Sequence, residues 1–228
     1  MTIYPGYRKE QVANAFGMAL GWDSAEKQSF LALASTSDPA LTEGMFVPDT
    51  YALENTTETP DVEKLLADKF QTTILSRYGT STAAAVPLDE ALTIASLIER
   101  ETSDPEEMRT ISGIIWNRMF NGMNLQIDAS VQYAKADANS AKSKNPTWWP
   151  QLTSNDKYIK SPYNTYANEG LPPTPISNPS IAAVIAALNP VQTDCLFYFH
   201  DKNGGFHCSA TYAEHVALLK KYYGPQAK

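Results

Sequence analysis

The chain has 228 residues, 43% hydrophobic and 19% charged, which is enough apolar material to bury the core of one ordinary domain. Its net charge of −7 and isoelectric point near 5.0 disfavour binding to nucleic acid or to an anionic membrane surface. No apolar run approaches the ~20 residues that a membrane helix needs, and no signal-peptide pattern follows Met1.

Two helices are predicted near the start of the chain. Apolar residues recur at helical spacing from Arg8 to Leu20. A second helix should begin at about Ser24, because Asp23 and Glu26 have the spacing of a capping box. Asp38-Pro39 is expected to end it.

A turn and a third helix follow. Pro48-Asp49 fits a turn, in which the aspartate would bond local backbone groups; a place in a cleft is the alternative. Thr59-Pro60 opens a helix that is predicted to run to Gly79. Residues 80–85 form a small polar linker.

The stretch from Leu88 to Gly122 predicts two helices in tandem. The first should end before Pro105, because the residue ahead of a proline is pushed out of the α region. Pro105 itself suits the first turn of the second helix. Asp104 is a candidate N-cap, and Glu107 would complete a capping box with it.

Glu99 and Glu101 lie where these helices join. The pattern places both in the last turn of the first helix, where residues two apart point in nearly opposite directions. Glu101 shares its face with Ile94, Leu97 and Ile98, so it is the better candidate for a half-buried carboxyl with a raised pKa. The N-terminus of the second helix would instead favour the carboxylate. The pattern also fits two solvated charges at a helix end.

Period-two alternation begins after the second helix. Leu125 and Ile127 alternate with Gln126 and Asp128, which predicts a short half-buried strand. Gln126 and Asp128 would then share a face, where they could bind substrate or orient a catalytic glutamate. The alternative is an exposed strand edge, with Asp128 capping a short helix. The pattern favours function for Gln126 and does not decide for Asp128.

A polar segment rich in Asn, Ser and Lys, residues 135–150, is predicted to be a loop. It contains Trp148 and Trp149. Exposed tryptophans stack on sugar faces through their large apolar surface, but a pair in a long loop can also fold back onto the core. We expect one of the two to be buried and the other to lie at the rim of a cleft.

Turn-rich backbone follows at 161–173, with polar and aromatic side chains between prolines. Asn164 and Tyr166 are the predicted sugar ligands, because side chains on rigid backbone lose little entropy on binding. Residues 181–188 then form a helix that is apolar on all sides and is therefore predicted to be buried.

The C-terminal part reads as a β-hairpin and a helix. The strands 195–200 and 206–210 flank a Gly-Gly turn, and Thr211 with Glu214 caps the last helix. Two cysteines and two histidines lie in the hairpin, but their spacing matches no zinc pattern, so no metal is expected. The predicted turn would set Cys208 opposite Phe199 rather than Cys195, so the cysteines are predicted to be free thiols.

Eight segments carry a resemblance to a known family: Glu43–Tyr51, Ile94–Thr102, Asn117-Arg118, Gly122–Asp128, Ser161–Tyr166, Gly170–Pro173, Asn189-Pro190, and the Gly-Gly hairpin with His215 beyond it. Together, in this order, they resemble the endolytic murein transglycosylase family (MltG, or YceG-like). Two positions depart from it. Proline usually follows the aspartate that is Asp128 here, and most members carry a histidine directly after the hairpin glycines, where this chain has Phe206 and then His207.

The resemblance implies that the second glutamate of Glu-x-Glu-Thr, Glu101, is the catalytic residue. It implies a lyase that cuts the MurNAc–GlcNAc β-1,4 bond within peptidoglycan strands, leaves 1,6-anhydroMurNAc ends and needs no cofactor. Glycan strands would be the substrate, and cell-wall synthesis enzymes are further expected partners. The predicted substrate-binding residues are Gln126, Asp128, Trp148, Trp149, Asn164 and Tyr166.

The predicted fold class is α+β, with helices around a small, mostly antiparallel sheet that contains the Leu125 strand and the C-terminal hairpin. The resemblance implies one catalytic domain over 1–228, with a helical N-terminal part (1–82) and a catalytic core (83–228). It also implies a parent protein anchored in the cytoplasmic membrane, with its catalytic part on the extracytoplasmic face. This chain would be a soluble fragment that lacks the anchor and most of a LysM-like segment.

Two other functions fit the same sequence. One is a non-catalytic glycan-binding module that keeps the aromatic side chains. The other is a muramidase that uses two carboxylates, with Asp128 or Asp49 as the second. A Ser or Cys hydrolase is not indicated, since neither a GxSxG elbow nor a Cys–His signature occurs.

Overall fold

The computed structural model describes residues 1–36, 41–54, 56–79, 86–140 and 146–225. These residues form eight α-helices and two small antiparallel sheets, so the predicted α+β class is confirmed. The elements are β1 (Thr2–Ile3), α1 (Lys9–Leu20), α2 (Ser24–Thr36), β2 (Asp49–Thr50), α3 (Thr59–Phe70), α4 (Leu88–Ile98), α5 (Pro105–Phe120), α6 (Asp128–Ser140), α7 (Ile181–Leu188), β3 (Phe197–His200), β4 (Phe206–Ser209) and α8 (Tyr212–Tyr223).

The sheets differ from the prediction. β1 pairs with β2, and β3 pairs with β4 in the C-terminal hairpin. The predicted strand at Leu125 is not formed, although Leu125 and Ile127 are buried as their alternation indicates. Between them Gln126 has φ 53°, in the left-handed region, so the backbone turns instead of extending.

Helix starts follow their local signals. The Asp23 side chain accepts hydrogen bonds from the N–H groups of Ala25 and Glu26, and the Glu26 carboxylate closes the box. Thr211 and Glu214 form the same reciprocal cap on α8, as predicted.

Two helix ends were predicted wrongly. A π-helical turn, Gln71–Leu75, follows α3, so that helix stops short of Gly79. α6 continues to Ser140, past the predicted start of the loop. The linker predicted at 80–85 lies outside the described residues. No described helix is both long and apolar enough to cross a membrane.

The apolar side chains form two clusters. The N-terminal core is built mainly from α1, α2 and α3 and includes Val12, Phe16, Phe30 and Leu66. The central core surrounds α4, whose residues 91–98 are all buried, and α4 packs chiefly against α5 and α7. The strongly apolar sequence of α4 therefore fixes it at the centre of the molecule, with its C-terminal end leading into the candidate site.

The N-terminal core is tied to the rest of the chain through Asn178. The Asn178 side chain accepts from the N–H groups of Gly44 and Phe46, each at 2.9 Å, and donates to the Glu43 carboxylate at 2.7 Å. Both Glu43 oxygens also accept from the N–H of Lys9, at 2.9 and 3.1 Å, at the start of α1. Glu43 therefore joins three segments.

Candidate active site

Glu101 lies in the turn that follows α4. The helix ends at Ile98, and the N–H of Glu101 donates to the Ile98 carbonyl at 2.9 Å. Its predicted place in the last helical turn is therefore wrong, but the residue is half-buried as expected. Glu99 is the C-cap of α4, and its carboxylate accepts from the N–H and hydroxyl of Ser180, at 2.9 and 2.6 Å. Glu99 therefore links α4 to the start of α7.

The surroundings of Glu101 favour its protonated form. Burial of the carboxyl raises its pKa above the ordinary value, and the nearby Asp128 carboxylate raises it further. The Tyr198 hydroxyl, which donates to Oε2 at 2.9 Å, lowers the pKa, as do His200 and Arg100. Within the described ranges no hydrogen bond reaches the other oxygen, Oε1, which is therefore available to a substrate.

The hairpin supplies the wall opposite Glu101. Tyr198 pairs with Cys208 and His200 pairs with Phe206, so these four side chains share one face of the ribbon. This face carries the Tyr198 hydroxyl to Glu101 and the His200 ring to Glu107.

The opposite face of the hairpin packs on α8. Phe199 and His207 lie in this face, where the His207 ring centroid is 4.0 Å from that of Tyr222. His207 also lies 2.8 Å from Asp201 Oδ2. His207 therefore belongs to the packing between hairpin and helix, and it points away from Glu101.

Glu107 does not complete its predicted capping box. Asp104 accepts from the N–H groups of Glu106 and Glu107, as an N-cap should. However, the Asp104 N–H donates to the Thr102 hydroxyl at 3.1 Å, which leaves the Glu107 carboxylate free to turn elsewhere. It accepts from the Thr102 hydroxyl at 2.5 Å and lies 3.0 Å from His200 Nε2.

Asp128 and Tyr166 form the third side of the site. The Tyr166 hydroxyl donates to Asp128 Oδ1 at 2.7 Å. Burial, this bond to Asp128 and the charge of Glu101 all raise the pKa of Tyr166, so it stays a donor. Thr165 holds the two segments together, since its carbonyl accepts from the Gln126 N–H and its hydroxyl from the Ile127 N–H, both at 3.0 Å.

Gln126 has an exposed side chain and a left-handed backbone, with φ 53°. A non-glycine residue held in this region is strained, and such strain is concentrated at functional sites. Beside this turn, Asp128 and Tyr166 line a cavity of about 240 Å³ whose other walls are Val131, Leu152, Thr153, Ser154 and Lys157. The cavity leaves room for a polar group next to Asp128 and Tyr166.

Asn117 and Arg118 fix the hairpin in place. Asn117 donates to the carbonyls of Thr193 and Cys195, at 2.6 and 3.1 Å. Arg118 is buried and donates to the carbonyl of Leu196 at 2.7 Å and to that of Leu125. These bonds hold the approach to β3 against the turn that precedes Asp128.

Asn164, a predicted sugar ligand, lies behind the open surface of the site. The residue is fully buried. Its amide donates to the carbonyls of Lys157 and Ile159, at 2.9 and 2.8 Å, and its oxygen accepts from the Tyr166 N–H at 2.9 Å. Because its polar atoms are bonded within the loop, Asn164 supports Tyr166 from behind.

Trp148 and Trp149 are both half-buried, so the prediction of one buried and one at the rim is wrong. The Arg8 guanidinium lies 4.7 Å from the centre of the Trp148 ring. The Arg100 guanidinium lies 4.0 Å from that of Trp149, which also packs against the central core. Each tryptophan ring contacts an arginine, and Trp149 contacts Arg100, the residue directly before Glu101.

The prediction of free thiols is also wrong, because Cys195 and Cys208 form a disulfide with 5.8 Å between their Cα atoms. The hairpin register sets Cys208 opposite Tyr198, one residue from the predicted partner. Cys195 precedes β3, where ladder pairing does not fix the direction of its side chain, so the two sulfurs meet. The described residues contain no group of three His, Cys, Asp or Glu that could hold a metal ion.

Fold and site together define an α+β protein with one half-buried glutamic acid facing a tyrosine-bearing hairpin and an aspartate–tyrosine pair. The model of the YceG-like family matches residues 1–221, so the chain belongs to the YceG-like family. The family suggested by the sequence motifs is thus confirmed.

Two curated relatives support the same assignment. The endolytic murein transglycosylase of Bacillus subtilis strain 168 is 32% identical over 181 residues, which cover 79% of this chain and 48% of the relative. That of Streptococcus pneumoniae serotype 2 strain D39 is 28% identical over 231 residues, covering 90% and 41%. The chain therefore spans less than half the length of these curated relatives.

The fold recurs in a solved structure. The crystal structure of a YceG-like protein from Listeria monocytogenes superposes with a TM-score of 0.77 at 25% identity. The match covers 95% of this chain and 75% of that one. The helices and the hairpin that position Glu101 thus belong to a fold seen in another member of the family.

Proposed function

We propose that this chain is the catalytic part of an endolytic lytic transglycosylase, which cuts the MurNAc–GlcNAc β-1,4 bond within peptidoglycan strands and leaves 1,6-anhydroMurNAc ends. The observation that carries the proposal is Glu101, a carboxyl with a raised pKa, one oxygen held by Tyr198 and the other open. The B. subtilis and S. pneumoniae relatives are endolytic murein transglycosylases, which supports the same activity.

The first step needs an acid. Protonated Glu101 gives its proton to the glycosidic oxygen while the bond from that oxygen to MurNAc C1 breaks, and GlcNAc leaves with a 4-hydroxyl. The raised pKa of Glu101 increases the fraction that carries this proton near neutral pH. The Tyr198 hydroxyl then donates to the carboxylate that has formed.

The second step needs a base, and the same residue serves. The Glu101 carboxylate takes the proton of the MurNAc C6 hydroxyl as O6 bonds to C1. Glu101 is thereby restored, and no water is consumed. The nucleophile is tethered to the reacting sugar, so proximity replaces the second carboxylate that hydrolysis would need.

Asp128, Tyr166 and Gln126 are proposed to bind the sugar. The Asp128 carboxylate keeps the proton on Glu101 and favours the positive charge that develops at C1. Tyr166 orients Asp128 through its hydroxyl, and Gln126, whose side chain is exposed, precedes Asp128 by two residues. Trp148 and Trp149 present only part of their rings, so sugar stacking there is proposed as a secondary contact.

We propose that the reaction takes place on the extracytoplasmic face of the bacterial cell membrane, where peptidoglycan lies, with the parent protein anchored in that membrane. The Cys195–Cys208 disulfide supports an oxidising compartment. Enzymes of cell-wall synthesis are proposed neighbours there, because they make the strands that this enzyme would cut.

Purified glycan strands test the proposal. Wild-type protein should shorten long strands early in the digest, before small fragments accumulate, as size-exclusion chromatography would show. Glu101→Gln should bind strands and leave their length unchanged. Wild-type protein that binds strands without shortening them would identify a glycan-binding module instead.

A two-carboxylate muramidase is the second candidate, because Asp128 lies near enough to affect the pKa of Glu101. Asp49 does not fit this role. It forms an ion pair with Lys69 and accepts from the Thr50 N–H, and it lies in β2. Water as the nucleophile, activated by Asp128, would give reducing MurNAc ends.

A further inference from the structure

A histidine–carboxylate pair lies directly beside the proposed catalytic residue. His200 Nε2 is 3.0 Å from Glu107 Oε2, and the same oxygen accepts from the Thr102 hydroxyl at 2.5 Å. Thr102 follows Glu101 in the chain, and His200 is two residues from Tyr198 on the same face of the hairpin. The pair therefore joins the turn that carries Glu101 to the strand that carries its hydrogen-bond donor.

Two carboxyl groups of the described residues interact with the His200 ring. The carboxylates of Glu107 and Glu101 face it from α5 and from the turn before that helix. From α8, the Tyr223 hydroxyl donates to the His200 carbonyl, not to its ring. Asp201 is adjacent in sequence, but its carboxylate is bonded to His207 on the other face.

We propose that Glu107 and His200 are positioning residues for the reaction at Glu101. Their bond holds the hairpin so that the Tyr198 hydroxyl meets the catalytic carboxyl. The charge of His200, when protonated, stabilises the carboxylate that forms when Glu101 gives up its proton. The positioning role in catalysis rests on the proposed function. The effect of His200 on the proton affinity of Glu101 can be measured whether or not the protein cleaves glycan.

The hairpin contains its own control. His207 and Asp201 form a second histidine–carboxylate pair at 2.8 Å, on the face that packs against α8. Only the Glu107–His200 pair lies on the face that meets Glu101. His200→Gln and His207→Gln remove the same charge from the two faces of one ribbon.

The first test measures the titration of the Glu101 carboxyl by NMR, using protein labelled with carbon-13 in its glutamate side chains. The Glu101 signal is assigned as the one that is missing from the spectrum of Glu101→Gln. His200→Gln should move the titration of Glu101 to higher pH, because a stabilising positive charge is lost. His207→Gln should leave it in place. Equal titrations in wild type and His200→Gln would overturn the proposal whether or not the protein cleaves glycan.

The second test is kinetic, on purified strands. His200→Gln and Glu107→Gln should each lower kcat by about 10- to 100-fold with little change in KM, since a small displacement of reacting groups costs that much. In His200→Gln the loss of activity at alkaline pH should also shift to higher pH. Wild-type kcat in both variants, or an equal loss in His207→Gln, would contradict the positioning role. If the wild-type protein did not cleave strands but His200→Gln still shifted the Glu101 titration, the proposed function would be contradicted and the effect of His200 on Glu101 would stand.

Discussion

Two regions of the chain remove a glutamate side chain wholly or partly from solvent: the junction around Glu43 and the site around Glu101. Burial raises the pKa of both carboxyls, that of Glu43 to about 8. Their partners differ. Glu43 is buried and accepts three hydrogen bonds, two from the Lys9 N–H and one from Asn178. Glu101 is half-buried and accepts one, from the Tyr198 hydroxyl.

The difference separates a structural carboxyl from the one proposed to react. A perturbed pKa marks both groups, so it does not identify the catalytic residue without further information. The number of donors and the access to the carboxyl make the distinction. Donors on both oxygens lock Glu43 into the fold, whereas the described residues donate to only one oxygen of Glu101. Glu99 shares only the number of donors with Glu43, because both of its hydrogen bonds from Ser180 reach the same oxygen, Oε2.

Exchanging each glutamate for glutamine gives the largest expected contrast. Glu101→Gln should lower cleavage of glycan strands at least 100-fold, because it removes the proton donor. It should leave the melting temperature nearly unchanged. Glu43→Gln should retain cleavage in the fraction of protein that is folded. Strand cleavage, corrected for folded protein by circular dichroism, measures both effects. If fully folded Glu43→Gln protein lost its cleavage activity, the purely structural role of Glu43 would be contradicted.

For the free energy of unfolding, substitution of Glu43 should have the larger effect and substitution of Glu101 the smaller. Glu43→Ala should lower the free energy of unfolding by about 3 kcal/mol, because it leaves buried donors of Asn178 and Lys9 without their acceptor. Urea denaturation measures this loss, with Glu101→Ala as the matched control. A smaller loss in Glu43→Ala than in Glu101→Ala would refute the structural role of Glu43.

Asn164→Ala extends the comparison to a residue that the sequence pattern favoured as a ligand. It should destabilise the fold by about 2 kcal/mol, because the carbonyls of Lys157 and Ile159 lose their buried donor. Urea denaturation checks the loss. Normal stability with impaired turnover would restore Asn164 to the substrate site.

The pH dependence of stability separates Glu43 further. Its folded-state pKa of about 8 lies above the ordinary value of 4.5, so its stabilising contribution is complete below pH 4.5 and falls as pH rises through 8. Wild-type protein should therefore lose stability over this range, and Glu43→Gln should show a flatter profile. Urea midpoints between pH 5 and 9 provide the measurement. An identical slope in the two proteins would contradict burial as the dominant cause of the shift.

Asp128→Asn should give the smallest effect of the series, about tenfold slower cleavage. It removes a charge that raises the pKa of Glu101, so the alkaline loss of activity should move to lower pH. The product should stay the same. The pH profile of cleavage tests the sign, which is opposite to that expected for His200→Gln.

Sequence reasoning succeeded where the determining contacts are local. The caps at Asp23, Asp104 and Thr211 depend on neighbours two or three residues away, so the starts of α2, α5 and α8 could be predicted. The alternating pattern correctly predicted that Leu125 and Ile127 are buried. It did not predict the turn between them, because that turn is held by a hydrogen bond from the Gln126 N–H to the distant Thr165 carbonyl.

The site required information that helix and strand patterns do not contain. Glu101 could be singled out through its motif and family resemblance. Tyr198 and His200 could not, because period-two alternation gives the two faces of a hairpin without saying which one meets α4 and α5. That choice depends on Asn117 and Arg118, whose bonds to the chain before β3 span more than 70 residues in sequence.

Mass spectrometry of the fragments released from purified peptidoglycan strands tests the central claim most directly. If Glu101 alone acts as acid and then as base, wild-type protein should release fragments with 1,6-anhydroMurNAc ends, each lighter by one water than a hydrolysed end. Glu101→Gln should release none. Predominantly reducing ends from the wild-type protein would contradict the single-glutamate mechanism and assign the second carboxylate to Asp128.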